Sequence, residues 1–405
     1  VAPTFILNKA IKYCNSMVSD SGAYASFYVP FEKRVSGISL LNPKAKQQYL
    51  DECLKQLNKS VIPSYKRLEG YLLQLERNSL AIAGVWQLPQ GDEYYRYCLK
   101  QNAGVNNSPS ELYDIAKMEM SRLKGELTLL KELANSDSSE VFGDSEEGRT
   151  ECRAFFEEQS NQISTRLDQY FSLSPKANLS VLEVPERSSA NRSLAFYLPP
   201  NSSSPTQGKL YVNTWKAQNL TRHLAKSYAY HEGIPGHHLQ KGIQAELTDL
   251  PTFRRFLPFE AYTEGWAMYA EQLGHEMTGT EDLHDKIGLL ESDLFRTARM
   301  MADIGLHHKK WLREQAVEFM TENTMLSKSE AEDEIDRYIV WPGQGCAYKV
   351  GQLKLMELRQ LTQSELKEAF SIKEFHDVVL NQGAMPLEVL ENRVKDYIAQ
   401  KQKED

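Results

Sequence analysis

The stretch YHEGIPGHHLQ, residues 230–240, places three of the chain's nine histidines beside one glutamate. In the common zinc-hydrolase motif H-E-x-x-H, two histidines four residues apart share one face of a helix, and the glutamate reaches the water that the zinc activates. Here Pro235 stands four residues after His231. Proline lacks a backbone N–H and the flanking glycines favour open backbone, so the sequence predicts a break or a bulge in this helix.

Two histidines compete for the second ligand position. A bulge of two residues would bring His237 to the place where the i+4 residue normally lies. If the helix instead ends at Glu232 and restarts at Gly236, His238 is equally suitable.

The same stretch is also compatible with a Gly-Pro-Gly turn carrying solvated histidines. The flanking pattern favours the metal interpretation, because Leu220, Leu224, Tyr228 and His231 follow steps of 4, 4 and 3 along one helical face. A histidine on an apolar face needs a polar partner.

A second segment, residues 261–270, predicts a buried helix whose only charge is Glu264. Burial would raise the pKa of an unpaired carboxyl and neutralise it, so this glutamate needs a partner, either a metal ion or an arginine of a neighbouring helix. Together His231, His237 and Glu264 give three ligands and leave a fourth position for water, as in catalytic zinc sites.

These residues carry a resemblance to the DUF885 family of bacterial proteins, many of which are described as lipoproteins. The resemblance rests on HEGIPGHHLQ (231–240), LPTFRR (250–255) and AYTEGWAMYAE (261–271), with further matches at 303–307, 337–338, 342–344, 348–351 and 375–377, and upstream to about Gly91. It implies a place among the gluzincin metallopeptidases, with a helix-rich peptidase fold, Glu264 as third zinc ligand and Glu232 as general base.

The predicted fold is mainly α, gluzincin-like, with a small β-sheet before the metal-binding helix. Residues 194–198 and 210–215 alternate between two faces and are separated by a turn-like segment, which predicts a pair of strands. We expect a helical N-terminal half, residues 1–175, and a catalytic half, residues 176–405, packed as one compact unit.

A polar stripe follows at Arg296, Arg299, Asp303 and His307, spaced by 3, 4 and 4 residues. Such a stripe is typical of a surface salt-bridge ladder. The resemblance favours an active-site wall instead, in which Arg299 binds a substrate carboxylate and His307 stabilises the developing oxyanion.

Further candidates lie nearer the C-terminus. Tyr348, which follows a Trp-Pro-Gly turn, is either a hydroxyl donor to the tetrahedral intermediate or a core tyrosine. Arg337 and Lys349 are candidates for binding a peptide terminus.

Charge and hydropathy narrow the partners. The net charge of −8 disfavours nucleic acid, and the absence of 18 consecutive apolar residues argues against a membrane span. The chain starts without Met, signal peptide or lipidation cysteine, so we expect a processed protein of the bacterial cell envelope, periplasmic or held by a lipid anchor on a removed N-terminal segment.

The sequence therefore predicts a zinc-dependent metallopeptidase in which Glu232 is the general base and the substrate is a peptide or small amide. Two alternatives stay open: a non-catalytic binding or scaffold lipoprotein with a degenerate site, and a metal-dependent amidohydrolase acting on a non-peptide amide.

Overall fold

The computed structural model describes residues 2–19, 22–134, 140–189, 192–201, 206–279 and 281–404. The chain divides into two compact units, Val1–Ala83 and Gly84–Asp405. The division expected at residue 175 therefore falls inside the second unit.

The first unit is helical. Its described residues form α1 (Thr4–Val18), α2 (Val29–Ser36), α3 (Pro43–Gln56) and α4 (Ile62–Glu76), with π-helical turns at Tyr24–Tyr28 and Leu57–Val61. Helix α3 begins where Asn42 accepts a hydrogen bond from the Ala45 N–H at 2.8 Å, and Pro43 suits the first helical position because it has no N–H to satisfy. A small apolar core holds the unit together; it contains Met17, Ala23, Tyr28, Val35, Leu50 and Leu57.

The second unit opens with helices and turns that precede a sheet. They are a 3₁₀ turn at Val85–Gln87, α5 (Gly91–Asn102), α6 (Pro109–Ala134), α7 (Glu146–Ser164) and α8 (Leu167–Tyr170).

A three-stranded sheet follows, in the order β1-β3-β2. Its strands are β1 (Asn178–Glu183), β2 (Ala195–Leu198) and β3 (Gln207–Val212), with the short helix α9 (Glu186–Ser189) between the first two. The predicted strand pair is confirmed: β2 runs antiparallel to β3, with Ala195 opposite Val212. Strand β1, parallel to β3, was not predicted.

The described residues after β3 form helices and the turns between them, as expected. After a 3₁₀ turn at Thr214–Asn219 come α10 (Arg222–Glu232), α11 (His237–Glu246), α12 (Thr252–Phe256), α13 (Glu260–Thr278), α14 (Leu283–His307), α15 (Arg313–Asn323), α16 (Lys328–Val340), α17 (Gln344–Leu366), α18 (Ile372–Leu380) and α19 (Leu387–Glu404), with another 3₁₀ turn at Lys367–Ala369. The early helices belong to this unit because α6 packs on α14 and α7 packs on α10.

Helix α13 lies at the centre of this packing and contacts α10, α14 and α17. It approaches α17 closely at Gly265, where an added Cβ would lie 2.4 Å from the Cα of Gly351. This close backbone contact fixes the position of α13, which carries Glu264, against α17. None of the helices in the described part of the chain is long and apolar enough to cross a membrane.

Candidate metal centre

The histidine stretch forms a break between two helices. Helix α10 ends at Glu232 and α11 begins at His237, so the structure contains the break and not a two-residue bulge. Gly236 is required at the turn, because an added Cβ would lie 2.0 Å from the carbonyl oxygen of His231 and 2.3 Å from that of Tyr230. The turn therefore folds back onto the end of α10.

This turn brings two imidazoles to one carboxylate oxygen. The Nε2 atoms of His231 and His237 lie 3.5 and 3.4 Å from Oε2 of Glu264 on α13. The two rings are nearly perpendicular, with centroids 4.9 Å apart. Both histidines are buried, with 2% and 4% of their surface exposed.

The donor atoms fit a zinc ion. Ligands about 2.0–2.1 Å from a tetrahedral zinc are separated by edges of about 3.3–3.4 Å. The two measured separations, 3.4 and 3.5 Å, match such edges. Two imidazole nitrogens and one carboxylate oxygen are also the donor set of many catalytic zinc sites.

Glu232 lies in the same cluster. A carboxylate oxygen of Glu232 and one nitrogen each of His231 and His237 are all within 4.8 Å of one another. Oε2 of Glu264 lies 3.4–3.5 Å from the same two imidazoles, so the carboxylates of Glu232 and Glu264 both stand beside His231 and His237. Glu232 is 9% exposed and also lines the adjoining cavity.

A residue that the sequence analysis missed, Glu271, orients His231. The Nδ1–H of His231 donates to Oε1 of Glu271 at 2.7 Å, and Glu271 is completely buried. This bond holds the ring so that Nε2 of His231 faces Glu264 and the cluster. The available signal was spacing: Glu271 is seven residues, or about two helical turns, after Glu264 on the same helix face.

The electrostatics of the cluster favour positive charge. Burial alone would lower the pKa of His231, but hydrogen bonds to Glu264 and Glu271 raise it to about 9. Burial alone would raise the pKa of Glu264, yet the interactions with His237 and His231 hold it well below its usual range. A cation placed between these groups would therefore be stabilised.

His238 is not part of the group of described residues that could hold a metal ion. Its Nδ1 lies 3.0 Å from the hydroxyl of Tyr197 on β2. Burial lowers the pKa of His238 to about 4, so the ring is neutral. Of the two competing histidines, the structure thus brings His237 to His231 and Glu264.

The cluster opens into a cavity of about 630 Å³. Strand β2 and the residues before it line this cavity, together with residues of α14 and α16 and Tyr348 of α17. Arg299, Arg337 and Tyr348 are among the described residues that line this cavity. The guanidinium of Arg299 lies over the Tyr348 ring, 3.9 Å from its centroid.

His307 and Lys349 are not among the described residues that line the cavity. His307 is fully buried; its Nδ1 accepts from the Val85 N–H at 3.2 Å, and its Nε2 lies 3.1 Å from the Tyr338 carbonyl, to which it donates. Lys349 pairs with Asp293 at 2.7 Å and Glu119 at 3.0 Å. The hydrogen bonds of His307 and the ion pairs of Lys349 thus connect neighbouring segments of the second unit.

The chain belongs to the DUF885 family, described as "Bacterial protein of unknown function", whose sequence pattern matches residues 1–394. The match includes the residues before Gly91, where the resemblance was expected to begin. No curated protein matches the chain.

Two solved structures have the same fold. A crystal structure described as "the putative lipoprotein from Colwellia psychrerythraea" is 30% identical, with a TM-score of 0.94, and the alignment covers 99% of this chain and 71% of that one. A "putative lipoprotein of unknown function from Shewanella oneidensis" is 18% identical, with a TM-score of 0.67 and coverage of 95% and 72%.

Proposed function

We propose that this chain is a zinc-dependent peptidase of the gluzincin type, with His231, His237 and Glu264 as ligands. The observation that carries the proposal is the convergence of both imidazole Nε2 atoms on one Glu264 oxygen, at 3.5 and 3.4 Å. A buried ion pair needs only one histidine and one carboxylate. Here two histidines lie at the spacing of tetrahedral zinc ligands, and a second glutamate, Glu232, lines the cavity beside them.

The chain's own groups have distinct tasks in this proposal. When bound, zinc supplies Lewis acidity that acidifies water and polarises a carbonyl. Glu232 accepts the proton of the attacking water and passes it to the leaving amine. Glu271 holds His231 in the tautomer that a ligand needs. The Tyr348 hydroxyl is the candidate donor to the developing oxyanion, since Tyr348 lines the cavity.

The sheet edge favours a peptide over a non-peptide amide. Strand β2 lies at one edge of the sheet and lines the cavity. The Asn213 N–H donates to the Leu194 carbonyl at 2.7 Å, so alternation along the antiparallel ladder directs the backbone groups of Ala195 and Tyr197 away from β3. An extended peptide would add to this edge as a further strand.

We propose that the protein acts in the bacterial cell envelope, because the two structural relatives are each called a "putative lipoprotein".

Hydrolysis of a defined peptide mixture by the full chain tests the function. We expect cleavage that stops on removal of metal by a chelator and returns on addition of zinc. A protein that binds zinc yet cleaves none of the peptides would instead be the scaffold alternative. Cleavage that persists without metal would refute the proposed mechanism.

A further inference from the structure

Arg299 is a buried guanidinium that stacks on the Tyr348 ring and still has an unpaired N–H among the described residues. It is 4% exposed and lines the cavity. Its hydrogen bond to the Gln344 side chain is long, at 3.4 Å, and the nearest carboxylate, of Glu334, is 3.8 Å away. Its Nε–H has no acceptor among the described residues. Since a buried charge is costly without close partners, this side chain is prepared for an anion.

Glu334 is already engaged by other groups. Its Oε2 accepts from Arg337 at 2.6 Å and from the Tyr338 hydroxyl at 2.6 Å. Arg299 therefore shares a carboxylate that is used elsewhere, and its charge is only partly compensated.

Arg296, one turn earlier on α14, is in a similar state. It is 3% exposed and lines the same cavity. It donates to the Ser292 hydroxyl at 2.8 Å, but its Nε–H has no acceptor in the described structure, and Glu271, 3.8 Å away, already binds His231. Arg296 and Arg299 thus line one cavity from adjacent turns of α14, and each has an Nε–H without an acceptor among the described residues.

The charges around the cavity agree with an anionic ligand. The described lining residues include six cationic and five acidic side chains, and two of the acids, Glu232 and Glu264, belong to the metal cluster. Without these two, three acidic side chains and six cationic ones line the cavity, so the rest of the lining is net positive. The whole chain, in contrast, carries a net charge of −8.

We propose that Arg296 and Arg299 bind the free C-terminal carboxylate of a peptide, so that the enzyme removes residues from C-terminal ends. This inference rests on the proposed peptidase function. A carboxylate accepts paired N–H bonds from guanidinium groups and would supply the acceptors that both side chains lack.

An adjoining cavity of about 330 Å³ specifies the C-terminal side chain. It shares Arg296 and Phe295 with the first cavity and extends between Leu224, Met325 and Leu326. A side chain leaves the same Cα as the C-terminal carboxylate, so a carboxylate held at Arg296 directs that side chain into this apolar space. Leucine or phenylalanine fits there, whereas aspartate would meet the Glu291 and Glu330 carboxylates.

The test compares N-acetyl-Ala-Ala-Leu with its C-terminal amide on zinc-loaded full chain. We expect kcat/KM to be on the order of 10- to 100-fold higher for the free acid, as for loss of a charged hydrogen-bonded partner. Arg299→Gln should bring the ratio of the two kcat/KM values towards 1, and N-acetyl-Ala-Ala-Asp should be a poor substrate. Arg153→Gln, at a partly exposed site on α7 that lines neither cavity, is the matched control and should leave this ratio unchanged.

If Arg299→Gln fails to fold, Arg299→Lys serves instead, because lysine keeps the charge but lacks the planar fork. Equal hydrolysis of acid and amide by the wild type would overturn this inference and leave the peptidase function intact. If neither is cleaved, calorimetric binding of the same two peptides to the Glu232→Gln protein decides: tighter binding of the acid supports the inference, and equal binding refutes it.

Discussion

Replacing Glu271 with Gln tests how the protein prepares His231 for a metal. The Glu271 carboxylate is fully buried and accepts from His231 Nδ1–H at 2.7 Å. Loss of such an outer partner weakens metal affinity by about 10- to 100-fold, or about 1.4–2.8 kcal/mol. Glutamine keeps the volume and an acceptor oxygen but removes the negative charge, so we expect the lower end, about a 10-fold weaker zinc affinity.

The assay is competition for zinc against a chelator of known affinity at constant pH. Glu276→Gln is the matched control, because Glu276 lies on the same helix and pairs with Arg359 outside the cluster. Its zinc affinity should equal that of the wild type. A folded Glu271→Gln protein with wild-type affinity would refute the role of Glu271 as the residue that orients His231.

Three further predictions concern the base, the turn and the core. Glu232→Gln should keep zinc and lose on the order of 10²-fold or more in turnover, since an amide cannot accept the water proton; loss of zinc instead would make Glu232 a ligand. Gly236→Ala should lower the free energy of unfolding by about 1–3 kcal/mol in a denaturant titration, because the added Cβ clashes with the His231 carbonyl. The control Gly125→Ala has open space around it and should be neutral or stabilising in the same titration. Burial lowers the pKa of His376 to about 3, below the ordinary 6.5. The folded protein therefore resists protonation of this histidine, and its free energy of unfolding falls as the pH drops from 6.5 towards 3. The loss is about 2 kcal/mol at pH 5. His376→Phe should reduce the loss of unfolding free energy between pH 7 and pH 5 by that amount in denaturant titrations, and an unchanged loss would refute this assignment.

Local patterns were sufficient to predict most of the secondary structure. The alternation at 194–198 gave β2, and the helical periodicity after Asn219 is confirmed through the described residues. Strand β1 was missed because its stability comes from parallel pairing with β3, some 30 residues away, and a parallel partner leaves no turn signal. The unit boundary near Ala83 was missed for a similar reason, since both sides are helical.

The site was partly predictable. His231, His237 and Glu264 each carried a local signal, a motif or a lone charge in an apolar helix, and the structure brings them together. The polar stripe from Arg296 to His307 spans 11 residues, about 16 Å along α14. Its two ends are therefore too far apart for both to reach the metal cluster. His307 therefore lies in the core, a position set by tertiary packing alone.

Metal content of the full chain, purified without chelator, tests the central claim most directly. We predict about one zinc per chain in the wild type and in His238→Ala, and almost none in His231→Ala, His237→Ala or Glu264→Ala. Full zinc in the Glu264→Ala protein, or loss of zinc only in His238→Ala, would contradict the ligand assignment.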